Sequence, residues 1–370
     1  MSDIISYSMP LPAMPRLHAA ILPRFMKWII AIVSVTSAIL LVFHALYWHR
    51  GISAAERAIE DWSQAIRDRG GSVELAELHY GGYPFAFEVR AESVAIETMP
   101  SDLAWTWQGG AIHGRAIIWT PNAITVDLSG GHELRLTAQD TDTRSIVGFE
   151  SAIAEIESSQ GGVRFLEAAL SNIHIHSTTL TKPVTIRSLG VSGVREHSPG
   201  DPVTLRLRGR IHQAQLPIVE TTALGTVIEQ VAWKLSAKGY LPRSLQGRDL
   251  ASWRDNGGTI DVESLALRWG ALTVDAEGTL SLDKRNRPLA ALTATVRGHR
   301  AVIDSLVQAG RIRPAEGAAA KIGLSVFSDS AENGGIVLPL TAQNGWLTAG
   351  PLKIFPLHSL DFSWLGASAP

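Results

Sequence analysis

The chain has 370 residues, enough for one large or two ordinary domains, and its 33 basic and 35 acidic residues leave a net charge of −2. This balance gives no electrostatic support for nucleic-acid binding, which needs an excess of Lys and Arg. The chain contains no cysteine. That excludes a disulfide framework, a thiolate zinc site, a cysteine nucleophile and a lipoprotein-type lipid anchor.

An apolar segment near the N-terminus is long enough to cross a membrane. Residues 28–48 carry no formal charge, and at about 1.5 Å per helical residue they cover a hydrocarbon core of ~30 Å. Trp28 and Trp48 stand at its ends, where aromatic rings favour the interface, and Arg24 and Lys27 precede it. The segment is therefore predicted to be a transmembrane anchor.

The charges around this segment predict its orientation. Basic residues are in excess on its N-terminal side, Arg16 among them, so residues 1–27 are expected in the cytoplasm and the C-terminal domain on the opposite side. The alternative is a cleaved signal peptide, whose apolar region typically has about 7–15 residues and ends at small residues. The longer run and its aromatic end favour an uncleaved anchor.

The segment after the anchor has the spacing of an amphipathic helix. Apolar residues recur every three or four positions over residues 51–70, and a Gly-Gly pair ends the run. Beyond this helix, apolar and polar residues mostly alternate, which predicts a β-rich domain over residues 71–365. The clearest case is 272–296, where two alternating runs flank the polar turn "DKRNRP" and predict an antiparallel hairpin.

Two further runs have helical spacing, at residues 217–239 and 300–312, whereas residues 151–160 are too short to assign. Helices that return onto an antiparallel sheet give an α+β fold. The expected architecture is a transmembrane helix followed by a large, curved, mostly antiparallel sheet with a few packed helices. A loop is expected at residues 196–202.

The alternation changes phase in five segments, each time across two intervening residues: 73–80, 87–96, 170–175, 184–191 and 260–269. In a regular strand, Val262 and Leu265 would point to opposite faces, and so would Ile186 and Leu189. A β-bulge at each place would restore one continuous apolar face and add curvature. The alternative is that these strands are apolar on both faces because helices cover them.

Three stretches of the chain carry a resemblance to a known family. They are "YGGYPFAFEVR", "GGTIDVESLALRWGALTVDAEGTLSLDKRNRPLAALTATVRG" and "NGWLTAGPLKIFPL". The chain resembles an uncharacterised bacterial family, number 2125 in the domains-of-unknown-function series, over roughly residues 45–365. Ala86 departs from the arginine expected after "GYPF". The C-terminal hairpins are also similar, more weakly, to the AsmA-like envelope proteins associated with lipid traffic.

The resemblance implies a single-pass protein of the Gram-negative inner membrane with its C-terminal domain in the periplasm. It supplies no catalytic residue. The residues themselves show no nucleophile elbow, phosphate-binding loop or zinc motif, so the chain is expected not to be an enzyme and to carry no metal or cofactor. His174 and His176 share a strand face, but polar alternation explains them better than a metal site.

The remaining candidates are aromatic. Tyr83 in "HYGGYPFAFEVR" is a possible ligand contact beside a structural corner, and Trp105 and Trp107 lie on one strand face, in the core or along an apolar groove. The first hypothesis is a lipid or other hydrophobic ligand held on the apolar sheet face. The alternative is a non-catalytic assembly factor for another envelope protein. Arg206, whose face includes two more arginines, is expected on a solvated surface.

Overall fold

A computed structural model describes residues 24–98, 103–138, 143–159, 162–196, 204–217, 224–239, 247–325, 335–350 and 352–360. The chain divides into two compact units, Met1–Arg50 and Gly51–Pro370. Arg16 and residues 197–202 of the loop predicted at 196–202 lie outside the described residues.

The first helix, α1, covers Arg24–Asp68, so the apolar segment and the predicted amphipathic helix are one uninterrupted helix. Among the described residues it is the one helix long and apolar enough to cross a membrane, and its most apolar window has a mean hydropathy of 2.5. The side chains of residues 26–43 are exposed, which suits a lipid environment. A secretory signal sequence near an N-terminus can also be long and apolar enough to meet this criterion.

Gly70 ends α1. Its φ of 83° lies in the left-handed region, and its N–H donates a hydrogen bond of 2.8 Å to the Arg67 carbonyl. This is the usual geometry of a glycine after a helix, and it confirms the stop predicted from the sequence.

All described strands belong to one antiparallel sheet that does not close. The strands are β1 Ser72–Ala76, β2 His79–Gly81, β3 Ala86–Ala91, β4 Ser93–Glu97, β5 Leu103–Gly109, β6 Ile112–Ile117, β7 Thr120–Leu128, β8 His132–Ala138, β9 Thr143–Phe149, β10 Ser151–Ser159, β11 Gly162–Ser177, β12 Val184–Glu196, β13 Thr204–Gln215, β14 Val227–Lys238, β15 Thr259–Trp269, β16 Leu272–Leu282, β17 Pro288–Arg297, β18 Ile336–Gln343, β19 Trp346–Ala349 and β20 Leu352–Pro356.

The sheet is a meander of long runs, each of which pairs with the next along the chain. In the N-terminal half every run is split into two strands by a short break: β1 and β2, β3 and β4, β5 and β6, β7 and β8, β9 and β10. The strands on one side of the breaks pair in the order β2–β3–β6–β7–β10–β11, and those on the other side pair in the order β1–β4–β5–β8–β9–β11. The breaks therefore align into a seam that crosses the N-terminal half of the sheet.

The seam explains four of the five phase changes in the sequence. Within 73–80 and 87–96 the change falls at the breaks between β1 and β2 and between β3 and β4. In 170–175 and 184–191 the strands continue, and Ile186 and Leu189 flank the seam without any change in pairing register. The bulge prediction is wrong there, because the neighbouring strands change direction through a left-handed Asn172 (φ 49°) and Gln213 (φ 51°).

The fifth phase change is a genuine bulge. The pairing of β15 with β16 shifts between Val262 and Leu265, as predicted. One inserted residue puts both side chains on the same face of the sheet.

One predicted helix is wrong. Most of the described part of 217–239 is strand β14, which pairs with β13 and β15. The spacing of its apolar residues, such as Val231, Trp233 and Leu235, is compatible with both a strand and a helix. Pairing with a long strand on each side favours the strand. Residues 151–159, left unassigned, form β10.

The other predictions of secondary structure hold. The hairpin is β16 and β17, with Ala276 opposite Ala294, and the helix expected at 300–312 is α3, His299–Gln308. Two helices were not predicted: α2, Gly247–Asp255, and α4, Pro314–Ser325. The helix α2 has few apolar residues, and the apolar residues of α4 are spread around the helix and do not form one stripe.

A hydrophobic core cluster lies where α2 packs on the C-terminal strands. Leu250, Trp253 and Leu282 are buried together, with Ile260 and Leu360 packed against them. The Trp253 indole N–H donates to the Lys238 carbonyl at 2.9 Å, which satisfies the only polar atom of that side chain. Both α2 and α3 contact β16.

Candidate functional site

One face of the sheet is apolar across its whole width on one side of the seam, and we call it the apolar face. Residues paired directly across antiparallel strands share a face. The face consists of three rows: Ala91–Ile112–Leu128–Ala152–Leu170–Leu189–Ile211–Val231–Leu267–Val274–Val296–Ile336; Val89–Gly114–Val126–Ala154–Ala168–Val191–Gly209–Trp233–Leu265–Ala276–Ala294–Leu338; and Phe87–Ala116–Ile124–Ile156–Leu166–Gly193–Leu207–Leu235–Val262–Gly278–Leu292–Leu340.

No polar side chain interrupts these rows. The bulge in β15 makes this possible, because without it Val262 would turn to the other face. Apart from apolar residues, the rows contain only glycines. One of them is Gly209, where an added Cβ would overlap the Trp233 ring. The row is thus fitted around a large aromatic side chain.

The opposite face is polar. Glu88 accepts a contact of 3.3 Å from Arg115, its neighbour across the strands, and Arg206 lies 2.7 Å from Glu196. Arg206, Arg208 and Arg210 are exposed on this face, as the sequence predicted. The sheet therefore has one solvated, polar face and one apolar face.

The apolar face is accessible in the middle of the sheet and closed towards the C-terminal strands. Val191, Leu207 and Trp233 are half-buried, whereas Ala294 and Leu338 are buried. The helices α2 and α3 contact β16, and α1 reaches the first strands, where Gly51 lies against the Phe87 ring. The middle of the face is thus an apolar surface that stays in partial contact with solvent.

On the other side of the seam the apolar residues continue in two rows: Val73–Ile96–Trp107–Leu134–Val147–Ile175–Val184 and Leu75–Val94–Gly109–His132–Phe149. Trp105 and Trp107 alternate along β5, so they share a face as predicted. Both are half-buried, and they lie opposite Leu136 and Leu134.

His132 is the single polar residue in these two rows, and no sequence pattern indicated its environment. It is 3% exposed, it stacks on Phe149 with ring centres 5.2 Å apart, and an added Cβ at Gly109 would overlap its ring. Among the described residues neither ring nitrogen has a partner with hydrogen-bond geometry. Burial lowers the pKa of His132, and backbone groups of Ser129 and Ala111 partly oppose that shift.

The structure does not bring Tyr83 together with the two tryptophans. Tyr83 is in the turn between β2 and β3, whereas Trp107 pairs with Ile96, near the far end of the run that β3 and β4 form. About ten strand residues, or roughly 33 Å, separate the two positions. Tyr83 instead shares its end of the sheet with Phe85 and Trp119, whose rings lie 6.3 Å apart.

The two histidines of "NIHIHS" lie together on β11, with ring centres 6.1 Å apart. His174 borders an open depression of about 510 Å³ with Gln108, Glu133, Glu150 and Asn172. Within the described ranges no group of three or more His, Asp or Glu side chains converges as metal ligands would.

The anchor flanks lie in α1: Arg24 is its first residue, and the Lys27 and Trp28 side chains are exposed. Trp48 is half-buried.

Sequence reasoning missed how far the apolar face extends. The sequence contains a signal for this face. In successive runs the apolar residues are two positions apart, then three positions apart at the seam, and then two positions apart again. Examples are Ala91 to Val94 and Leu170 to Ile173. Only the pairing register shows that these steps line up.

A comparison with protein-family models finds one described as an uncharacterised protein conserved in bacteria, DUF2125, which matches residues 48–358. No curated protein matches the chain, and no solved structure does.

Proposed function

The chain belongs to this uncharacterised bacterial family, and we propose that it is a membrane-anchored envelope protein whose apolar face binds a lipid or another hydrophobic ligand. The observation that carries the proposal is the accessible middle of the apolar face. Monomeric soluble proteins rarely expose large contiguous apolar surfaces, and those that do generally use them for binding.

The size of the face suits an acyl chain. From β6 to β14 it crosses seven paired strands, a width of roughly 30 Å at ~4.8 Å per strand. One leaflet of a bilayer has acyl chains about 15 Å long, half of the ~30 Å hydrocarbon core. A ligand of that length finds no charge along any of the three rows, so it meets no desolvation penalty from the protein.

The chemistry supports binding or passage more than reaction. The one buried titratable group near the apolar rows, His132, has Trp107 and Phe149 for neighbours. It lines the same open depression as Glu133, Glu150 and His174, but among the described residues none of these side chains is hydrogen-bonded to either of its ring nitrogens. The proposal therefore includes no catalytic step.

The location is part of the proposal. The apolar length of α1 supports an inner-membrane anchor, and the basic residues before Trp28 support a cytoplasmic N-terminus with the sheet in the periplasm. The bilayer would then supply the ligand or receive it.

A second function, assembly with another envelope protein, is favoured by the open sheet. Within the described strands β20 pairs only with β19, and β2 pairs only with β3. Edge strands of this kind can pair with a strand of a partner chain. This role needs no ligand on the apolar face.

Photo-crosslinking in cells separates the two functions. A benzophenone amino acid replaces Leu207, on the apolar face, or Arg208, the next residue on the polar face. We expect a lipid-sized adduct at position 207 only, detected by intact-protein mass spectrometry of the full chain. Equal adducts at both positions, or none at 207, would overturn lipid binding. A protein-sized adduct at an edge position such as Lys353 in β20, without a lipid adduct at 207, would favour assembly.

A further inference from the structure

Two neighbouring turns at one end of the sheet expose a group of large apolar side chains, which we call the aromatic tip: Tyr83, Phe85, Ile117 and Trp119. These side chains are 52%, 63%, 40% and 67% exposed. The Phe85 and Trp119 rings are in edge-to-face contact, so the two turns present one surface.

The backbone fixes this surface. Ala86 lies opposite Ile117, and the Ile118 N–H donates to the Phe85 carbonyl at 3.1 Å. The Ala86 N–H donates to the Gly82 carbonyl at 2.8 Å, and Gly82 has a φ of 94° that favours glycine. The exposed rings are thus carried by a bonded pair of turns and not by a loose loop.

The aromatic tip is continuous with the apolar face. The row that begins at Phe87 is the one nearest the tip, and it contains Ile124 and Leu166, which are both exposed. Val163, at the start of β11, is exposed at the same end. An apolar path therefore runs from the tip onto the half-buried middle of the face.

The chain enters the β-rich unit at this same end. Gly51, its first residue, lies so close to Phe87 that an added Cβ would overlap the ring. Trp48, which ends the predicted membrane segment, precedes Gly51 by three residues, or about 5 Å of helix. The end of the sheet that carries the tip is therefore the end at which the chain enters the β-rich unit after the apolar segment.

We propose that the aromatic tip inserts into the headgroup region of the bilayer that holds the anchor, and that hydrophobic ligands pass there between the membrane and the apolar face. The side-chain types fit this partner, because Trp and Tyr prefer the interface. Residues 82–87 and 116–124 contain no charged residue, so insertion desolvates no ion. This inference rests on the membrane anchor and the lipid binding proposed above.

Site-specific fluorescence tests the contact. Because the chain has no cysteine, a single cysteine can be labelled without background. Phe85→Cys places an environment-sensitive NBD dye in the tip. Ile153→Cys places it at an exposed apolar position of the polar face, 54% exposed. The full chain is reconstituted in phosphatidylethanolamine–phosphatidylglycerol vesicles that contain lipids with a shallow nitroxide quencher.

We expect blue-shifted emission and strong quenching at position 85 and neither effect at position 153. If the protein floats with the vesicles but the dye at position 85 stays in water, the proposed insertion of the tip is wrong, whereas the proposed membrane anchor is retained. If the protein does not float with the vesicles, the anchor fails and the inference fails with it.

The ligand path needs a second measurement. Phe85→Ser combined with Trp119→Ser is introduced into the chain that carries benzophenone at position 207. We expect several-fold less lipid adduct, with unchanged circular dichroism and flotation. Ile153→Ser is the matched control and should leave the adduct unchanged. An undiminished adduct in the double variant would overturn the path while leaving lipid binding at position 207 intact.

Discussion

The middle and the C-terminal part of the sheet share the same strand pattern but use it differently. In the middle, residues such as Val191 and Leu207 are half-buried, and their two rows contain the small residues Gly209 and Gly193. Towards the C-terminus, α2 and α3 contact β16, and Trp253 and Ile336 are buried. The same alternation therefore forms a packed core in the C-terminal part of the sheet and an accessible apolar surface in its middle.

This difference separates stability from function. Apolar area that is removed from water stabilises the fold by about 25 cal/mol per Å², so the covered end contributes most per side chain. The middle gains less, because its side chains still contact solvent. If the middle of the face binds a ligand as proposed, its accessibility has a cost in stability. Three measurements test the difference between the middle and the covered end.

The largest effect is expected from the covered end. Trp253→Ala removes a buried side chain and its hydrogen bond to the Lys238 carbonyl, and should lower the free energy of unfolding by about 3–5 kcal/mol. Leu207→Ala, in the half-buried middle, should cost only about 1 kcal/mol. Chemical denaturation of the full chain in detergent measures both. Equal losses would show that the middle is packed as tightly as the end.

The second effect concerns the seam. Gly109→Ala places a Cβ where the His132 ring lies, and overpacking of this kind should cost about 1–3 kcal/mol. Gly190→Ala is the matched control, because an added Cβ there meets nothing within 4 Å. Thermal unfolding of the two variants compares them. If Gly190→Ala loses as much stability as Gly109→Ala, the loss comes from replacing a glycine in a strand and not from the contact with His132.

The smallest effect is a pH dependence. Burial lowers the pKa of His132, so between its ordinary value of about 6.5 and the lower value in the folded chain the unfolded state binds more protons. Stability should therefore be complete above about pH 6.5 and decrease as the pH falls. His299, whose pKa is lowered by burial and by Arg300, adds to the same trend.

The His132→Phe variant should lose part of this pH dependence, and the remainder would come from His299. The measurement is the free energy of unfolding of the full chain in detergent, above and below pH 6.5. His176→Phe, at an exposed position, should leave the dependence unchanged. An unaltered pH dependence in His132→Phe would contradict the assignment to this buried ring.

Much of the fold follows from local pattern. The hairpin of β16 and β17, the helix α3 and the end of α1 at Gly70 are all set by residues within a few positions of one another. The error at 217–239 has the opposite origin. Val231 and Leu235 fit both a helix and a strand, and the flanking strands β13 and β15 decide between them.

The sequence by itself determined the apolar segment that is long enough to cross a membrane, the alternating strands and the bulge between Val262 and Leu265, because each depends on the spacing of neighbouring residues. Tertiary structure decided what register and packing control. It aligned the phase changes into one seam, buried His132 against Phe149 and separated Tyr83 from Trp107. It also placed the contacts of α2 and α3 at β16, away from the middle of the apolar face. No local pattern can specify which surface of a strand another element will cover.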